Sequence, residues 1–146
     1  MLHCGAADMA EQSIPFVTAI LLCDVAITEA GSGKKTLVGT FDRIFTRSIP
    51  ADHGPFWLYA KLTDMYGNNR IRIDIVHLKT EKKIAGLIIE TSDIPDSMRL
   101  QRLDWAIPLP RMRFPLEGEY EFQIYANDVF IGRTVLIVQK VVEREQ

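Results

Sequence analysis

Leu116-Glu117-Gly118-Glu119-Tyr120-Glu121-Phe122-Gln123-Ile124-Tyr125-Ala126, then Asn127-Asp128, then Val129 through Val138, is the stretch that decides the fold. Tyr120, Phe122, Ile124 and Ala126 alternate with Glu119, Glu121, Gln123 and Tyr125. A period of two is the pattern of a strand with one buried face. Asn127-Asp128 accepts the positive φ angles of a tight hairpin turn. The apolar, β-branched run after it supplies the returning strand. A plain two-residue turn would carry Arg133 to the core face opposite Phe122, where an unpartnered charge is costly. A bulge or an odd-length loop would instead turn Phe130, Leu136 and Val138 inward and free Arg133, and a bulge is the expectation.

Upstream segments carry similar marks. Phe16–Cys23 is apolar on both faces and suits a strand between two layers. Thr28–Lys35 is a turn, and Thr36–Phe41 with Ile44-Phe45 returns as one strand, in which Gly39 signals a bulge or a close backbone approach. Ser48–Pro55 is a Pro/Gly loop long enough to cross between sheets. Phe56, Leu58, Ala60 and Leu62 alternate with Trp57, Tyr59, Lys61 and Thr63. After a turn at Tyr66–Asn69, Ile71, Ile73 and Ile75 alternate with Arg70, Arg72 and Asp74, and the pattern then slips to Val76 and Leu78. Ile84–Glu90 and Leu103–Leu109 complete the set; Pro108 places the end of its strand at a sheet edge. Pro110–Pro115 is a second crossing loop. The expectation is an all-β fold: an antiparallel β-sandwich, immunoglobulin-like or a related Greek key, of about eight strands. Residues 1–13 read as a disordered arm, 14–141 as a single domain and 142–146 as a charged tail.

Composition sets the outer limits. The chain has 146 residues, 47% apolar and 25% charged, with 17 basic and 19 acidic side chains and net charge −2. A chain of this length buries a real core without metal or disulfide staples. The balanced charge gives no footprint for duplex nucleic acid. Met1–Ser13 lacks the basic and apolar regions of a secretory signal, and Phe16–Ile27, interrupted by Asp24, is too short to span a bilayer. Cys4 and Cys23 leave two readings, a disulfide between them or, as preferred, two reduced thiols with Cys23 a small core residue in a cytoplasmic protein.

Motifs that promise chemistry fail on spacing. Gly31-Ser32-Gly33-Lys34-Lys35-Thr36 has Thr28 where a phosphate-binding loop needs its first glycine, and no helix follows. His3, His53 and His77 lack ligand spacing with either cysteine and read as exposed or incidental. Asp93 and Asp96 share one loop, as turn chemistry explains without calcium. Asp42-Arg43 reads as a buried or half-buried ion pair at a bulge. No catalytic residue, cofactor or metal is expected. The candidate interaction surface is Trp57, Tyr59, Lys61, Arg70 and Arg72, which share one face if their two strands form a hairpin. Arg over Trp or Tyr there would stabilise by about 0.5–1 kcal/mol.

Leu37-Val38-Gly39-Thr40-Phe41-Asp42-Arg43-Ile44-Phe45, Cys23-Asp24 and the Gly118-Glu119-Tyr120 hairpin resemble a family of bacterial domains of unknown function, over about residues 14–140. The resemblance implies a cytoplasmic bacterial or phage-borne protein and transfers no catalytic residue. Leu116, Gly118 and Tyr120 are also similar to the corner of immunoglobulin-like sandwiches, in which the tyrosine hydroxyl bonds upstream backbone. The leading expectation is a protein that binds a protein partner or self-associates through a sheet face or edge. A ligand-binding module for calcium, lipid headgroup or glycan, using loops at one end, comes second, and an enzyme third.

Overall fold

The computed structural model describes residues 14–95, 97 and 102–142. The expected arm, the end of the tail, Cys4 and Asp96 lie outside these residues. In chain order the strands are β1 (Phe16–Thr28), β2 (Lys35–Phe41), β3 (Arg43–Thr46), β4 (Ala51–His53), β5 (Phe56–Thr63) and β6 (Gly67–His77). They continue with β7 (Lys82–Ile94), β8 (Arg102–Leu109), β9 (Met112–Phe114), β10 (Gly118–Ala126) and β11 (Val129–Lys140). A four-stranded sheet has the order β2-β1-β5-β8, a five-stranded sheet β3-β11-β10-β6-β7, and β4 pairs with β9 alone. Only the β3–β11 pairing is parallel among the described residues.

All eight expected strands are present, and three more come from segments too short to show periodicity. Asp42 splits the expected second strand. There the chain leaves the four-stranded sheet for the five-stranded one, and the Ile137 N–H donates to the Asp42 carbonyl at 2.9 Å. β4 and β9 lie in the two loops expected to cross between sheets. Both loops do connect the larger sheets, and they pair with each other on the way. The pairing brings Ala51, Met112 and Phe114 into the core.

The inner faces follow the period of two. Phe56, Leu58, Ala60 and Leu62 of β5 pack in one buried cluster with Ile71, Ile73 and Ile75 of β6 and Tyr120, Phe122, Ile124 and Ala126 of β10. Each fully buried aliphatic or aromatic side chain of this kind stabilises the fold by about 1.5–3 kcal/mol. The Phe56 and Phe122 rings meet edge to face at 6.1 Å, so the two larger sheets face each other across a single core.

The closing hairpin turns at Asn127 (φ 51°) and Asp128 (φ 67°). Ala126 pairs with Val129 and Tyr125 with Phe130, but Ile124 pairs with Gly132. Ile131 is thus the extra residue of the expected bulge. Leu136 and Val138 turn inward and Arg133 turns outward. Phe130 does not turn inward. It precedes the bulge, stays 50% exposed and packs its ring against Tyr125 at 5.6 Å. The corner expected at Tyr120 is present: its hydroxyl donates to the Leu116 carbonyl at 2.6 Å and accepts from the Leu116 N–H at 3.1 Å.

The slip expected after Ile75 falls on the neighbouring strand. β6 keeps its alternation, so His77, not Leu78, points inward at 3% exposure. The extra residue is Ile84 in β7, between the pairs Ile75–Ala85 and Val76–Lys83. His77 is therefore neither exposed nor incidental. Its Nε2 lies 2.9 Å from the Glu117 carbonyl and its Nδ1 2.9 Å from the Thr80 hydroxyl. Gly118 makes room for it, because a Cβ there would lie 3.1 Å from Nε2.

Candidate interaction surfaces

The five residues of the candidate surface divide between two faces. β5 and β6 are consecutive but do not pair; they sit in different sheets. The hairpin that would have joined Trp57, Tyr59 and Lys61 to Arg70 and Arg72 is absent, because the chain crosses the core between Thr63 and Gly67. Met65, fully buried in that crossing, packs into the core cluster.

Trp57, Tyr59 and Lys61 lie on the outer face of the four-stranded sheet, beside Cys23, Leu21 and Ala19 of β1 and Pro108, Ala106 and Asp104 of β8. Tyr59 is not an exposed ring: it is 9% accessible and donates to Asp104 Oδ1 at 2.8 Å. Burial, reinforced by the Asp104 carboxylate, pushes its pKa up to about 12. Lys61 reaches the same carboxylate at 3.5 Å. Trp57 is half-buried beside Cys23, which is fully buried. Burial first, and then the Asp24 charge, raise the Cys23 thiol pKa.

Arg72 lies on the outer face of the five-stranded sheet. Its guanidinium stacks 4.3 Å from the Tyr125 ring centre. The expected cation–π contact thus exists with a different aromatic residue. Arg72 also lies 3.3 Å from both Asp74 and Asp128, and Lys83 pairs with Asp74 at 3.0 Å. Beside them Arg133 pairs with the buried Glu121. Gln123 donates to Glu121 at 2.9 Å and accepts from the Tyr125 hydroxyl at 3.0 Å. This face is a charged net that neutralises itself, the arrangement expected of a solvated sheet surface.

Arg70 lines an open polar cavity of about 540 Å³ with Asn68, Asn69, Glu90, Thr91 and Asn127. Its amides largely bond within the protein: Asn69 donates to the Tyr66 carbonyl at 3.0 Å, and Asn127 donates to Asn69 at 3.1 Å and accepts the Arg70 N–H at 2.9 Å.

A third surface lies where the sequence reading ended its first strand. β1 continues past Cys23, the last residue paired with β5, while its pairing with β2 runs on to Thr28–Lys35. The β1–β2 hairpin therefore projects beyond the rest of its sheet as a two-stranded ribbon. On it Val25 (44% exposed), its cross-strand partner Val38 (48%) and Ile27 (50%) form an apolar face, continued by Leu21 (44%). The signal was present: Val25 and Ile27 keep the period of two past Asp24, a charge that read as the strand's end.

The other sequence candidates resolve simply. Gly31–Lys34 lies in the turn of this ribbon and Lys35 opens β2, with Gly33 N–H donating to the Glu29 carbonyl at 3.0 Å. Asp42 and Arg43 are exposed, and Arg43 bonds Gln139 instead of forming a buried pair with its neighbour. His53 sits edge-on to Phe41 at 5.2 Å, and burial lowers its pKa. Among the described residues no three His, Cys, Asp or Glu side chains gather as a metal site would require, and no helix is long and apolar enough to cross a membrane.

A family model described as a family of unknown function (DUF6941) matches residues 18–139. The chain belongs to that family. The DUF6941 match runs from within β1 to within β11 and so takes in the ribbon, the crossing at Asp42 and the Tyr120 corner. No curated protein matches the sequence.

Proposed function

We propose that this protein acts by assembly rather than catalysis, associating with a second copy of itself through the apolar face of the β1–β2 ribbon. The observation that carries this reading is the ribbon: a two-stranded arm beyond its sheet, with Val25, Ile27 and Val38 each at least 44% exposed. An isolated pair of strands is marginal in water. Neighbouring exposed apolar side chains, unlike single scattered ones, are the surface that contact sites are built from. The three side chains are uncharged, so the same patch on a second copy meets no like-charge penalty across a two-fold axis. On the outer face of the five-stranded sheet the exposed Ile88 and Phe130 stand beside the ion pairs of Arg72, so charge interrupts the apolar surface there.

In this reading the fold is an immunoglobulin-like sandwich of a bacterial cytoplasmic protein. The Tyr120 corner supports the fold, and the buried Cys23 thiol suits a reducing compartment.

Light scattering coupled to gel filtration tests the assembly. The expected mass is a multiple of the chain mass, falling on about a hundredfold dilution as mass action requires. Val25→Lys with Val38→Asp replaces the apolar pair by a cross-strand ion pair that keeps the ribbon folded. The double variant is expected to be monomeric. A monomeric wild type, or a variant that assembles like wild type, overturns the reading.

A further inference from the structure

We propose that the cleft between β7 and the β8–β9 corner binds a medium-chain aliphatic carboxylate. The cleft has a volume of about 420 Å³, within the range of small-molecule sites. Its floor is Ile75, Leu109 and Met112, all buried members of the core cluster, and its wall is Ile84, Ala85 and Leu87 of β7. These residues come from three different sheets. An aliphatic chain entering here would extend the core between the layers without displacing a hydrogen-bonded element.

The polarity of the mouth selects the head group. Arg111 and Arg113 line the cleft, each with a side chain 69% exposed. The acidic side chain paired with them is Asp52. Arg113 is committed to Asp52, with Nε 3.1 Å from Oδ1 and Nη2 3.3 Å from Oδ2. That bond holds the Asp52 carboxyl below its ordinary pKa. Arg111 approaches Asp52 only to 3.9 Å, beyond hydrogen-bond range. Two guanidiniums against one carboxylate leave one positive charge at the rim of an apolar cleft. Arg111 retains the planar donor pair that matches a carboxylate. A chain with an anionic end satisfies both features; a neutral alkane satisfies one.

The cleft lies at the β8 edge of the four-stranded sheet and the proposed assembly ribbon at the β2 edge, so either idea can fail without the other. Titration calorimetry with hexanoate, octanoate, decanoate and 1-octanol tests the site. The expected result is saturable binding of one carboxylate per chain, tightening about threefold to fourfold per added methylene until the cleft is full. Octanoate is expected to bind more tightly than 1-octanol. Arg111→Gln, at an exposed position, is expected to weaken octanoate about tenfold and to leave 1-octanol unchanged. Ala85→Phe, checked for a retained melting transition, is expected to abolish binding of both. The proposal is overturned by no saturable decanoate binding, by equal affinity for octanoate and octanol, by an Arg111→Gln variant that binds like wild type, or by binding to anionic lipid vesicles without binding of dissolved decanoate.

Discussion

Tyr120→Phe isolates the contribution of one hydroxyl to the closing hairpin. Tyr120 is fully buried, and its hydroxyl satisfies both backbone groups of Leu116, at 2.6 Å and 3.1 Å. The substitution removes one oxygen and leaves the ring, so the edge contacts with His77 at 4.8 Å and Phe114 at 5.1 Å persist and no cavity of methyl size opens. The loss is then two hydrogen bonds, each about 1 kcal/mol net, plus a penalty for any backbone group left dry. Leu116 is 43% exposed, so water reaches its backbone and the penalty stays small. The expected destabilisation is about 2 kcal/mol. In urea the slope should be unchanged and the midpoint should fall by about 1 M. In a thermal scan the transition should fall by about 4–8 °C. The corner joins the last crossing loop to β10, so a loss below about 0.5 kcal/mol would show that the geometry at Leu116 is held by other contacts and that the hydroxyl is incidental.

Gly39 has φ +68°, and a Cβ there would lie 2.4 Å from Asp24 Oδ2. Gly39→Ala should therefore cost about 1–2 kcal/mol in urea unfolding, chiefly backbone strain because the exposed Asp24 carboxylate can swing aside; adding Asp24→Ala should leave about 1 kcal/mol. Recovery to full wild-type stability would refute the backbone part of this account. Tyr59, with its pKa pushed up to about 12, keeps its neutral form in the folded state. Its folded pKa lies above the unfolded value of about 10, so its stabilisation is complete below pH 10 and is lost as pH rises toward 12. Burial raises the Tyr120 phenol as well, so a spectrophotometric titration should show a late phase from both tyrosines; Tyr59→Phe should remove one tyrosine's amplitude from it, and Asp104→Asn should move one to lower pH. A late phase whose amplitude is unchanged in Tyr59→Phe would refute the assignment.

Which residues face the core was legible in the chain; which strands pair was legible at the tight turn that joins β10 to β11 and not between β5 and β6. The alternation in β5, β6 and β10 identified Phe56, Leu58, Ile71, Ile73, Tyr120 and Phe122 as inward-facing because burial on one face imposes a period of two. The bulge at Ile131 was legible because a core with no partner for Arg133 forces the register. Periodicity is silent about partners. β5 and β6 bury the same faces whether they pair side by side or lie across the core from each other, and the candidate surface depended on that choice. The apolar run at Val76 and Leu78 also hid the continuation of the β6 pattern through His77. The glycine opposite it, Gly118, was the clue to a bulky inward side chain.

The residue that distinguishes the two arrangements of β5 and β6 is Met65. At the tip of a hairpin turn between Asp64 and Tyr66, a methionine would stand in water, and turns favour small polar residues there. A chain crossing from one layer to the other must instead pass over the end of the core, where an apolar side chain is buried against both layers. Met65 is fully buried in the core cluster, and Asp64 beside it takes φ 66° to turn the chain. Met65 is therefore the local mark of a crossing, and the crossing is what places Trp57 and Arg72 on opposite outer faces. The ribbon became visible by the same logic in reverse. Val25 and Ile27 continue the outward face of β1 after β5 has ended, so their exposure follows from the length of the strand. Assembly through that face requires no rearrangement of the core, because the outward residues of the ribbon alternate with those that point the other way.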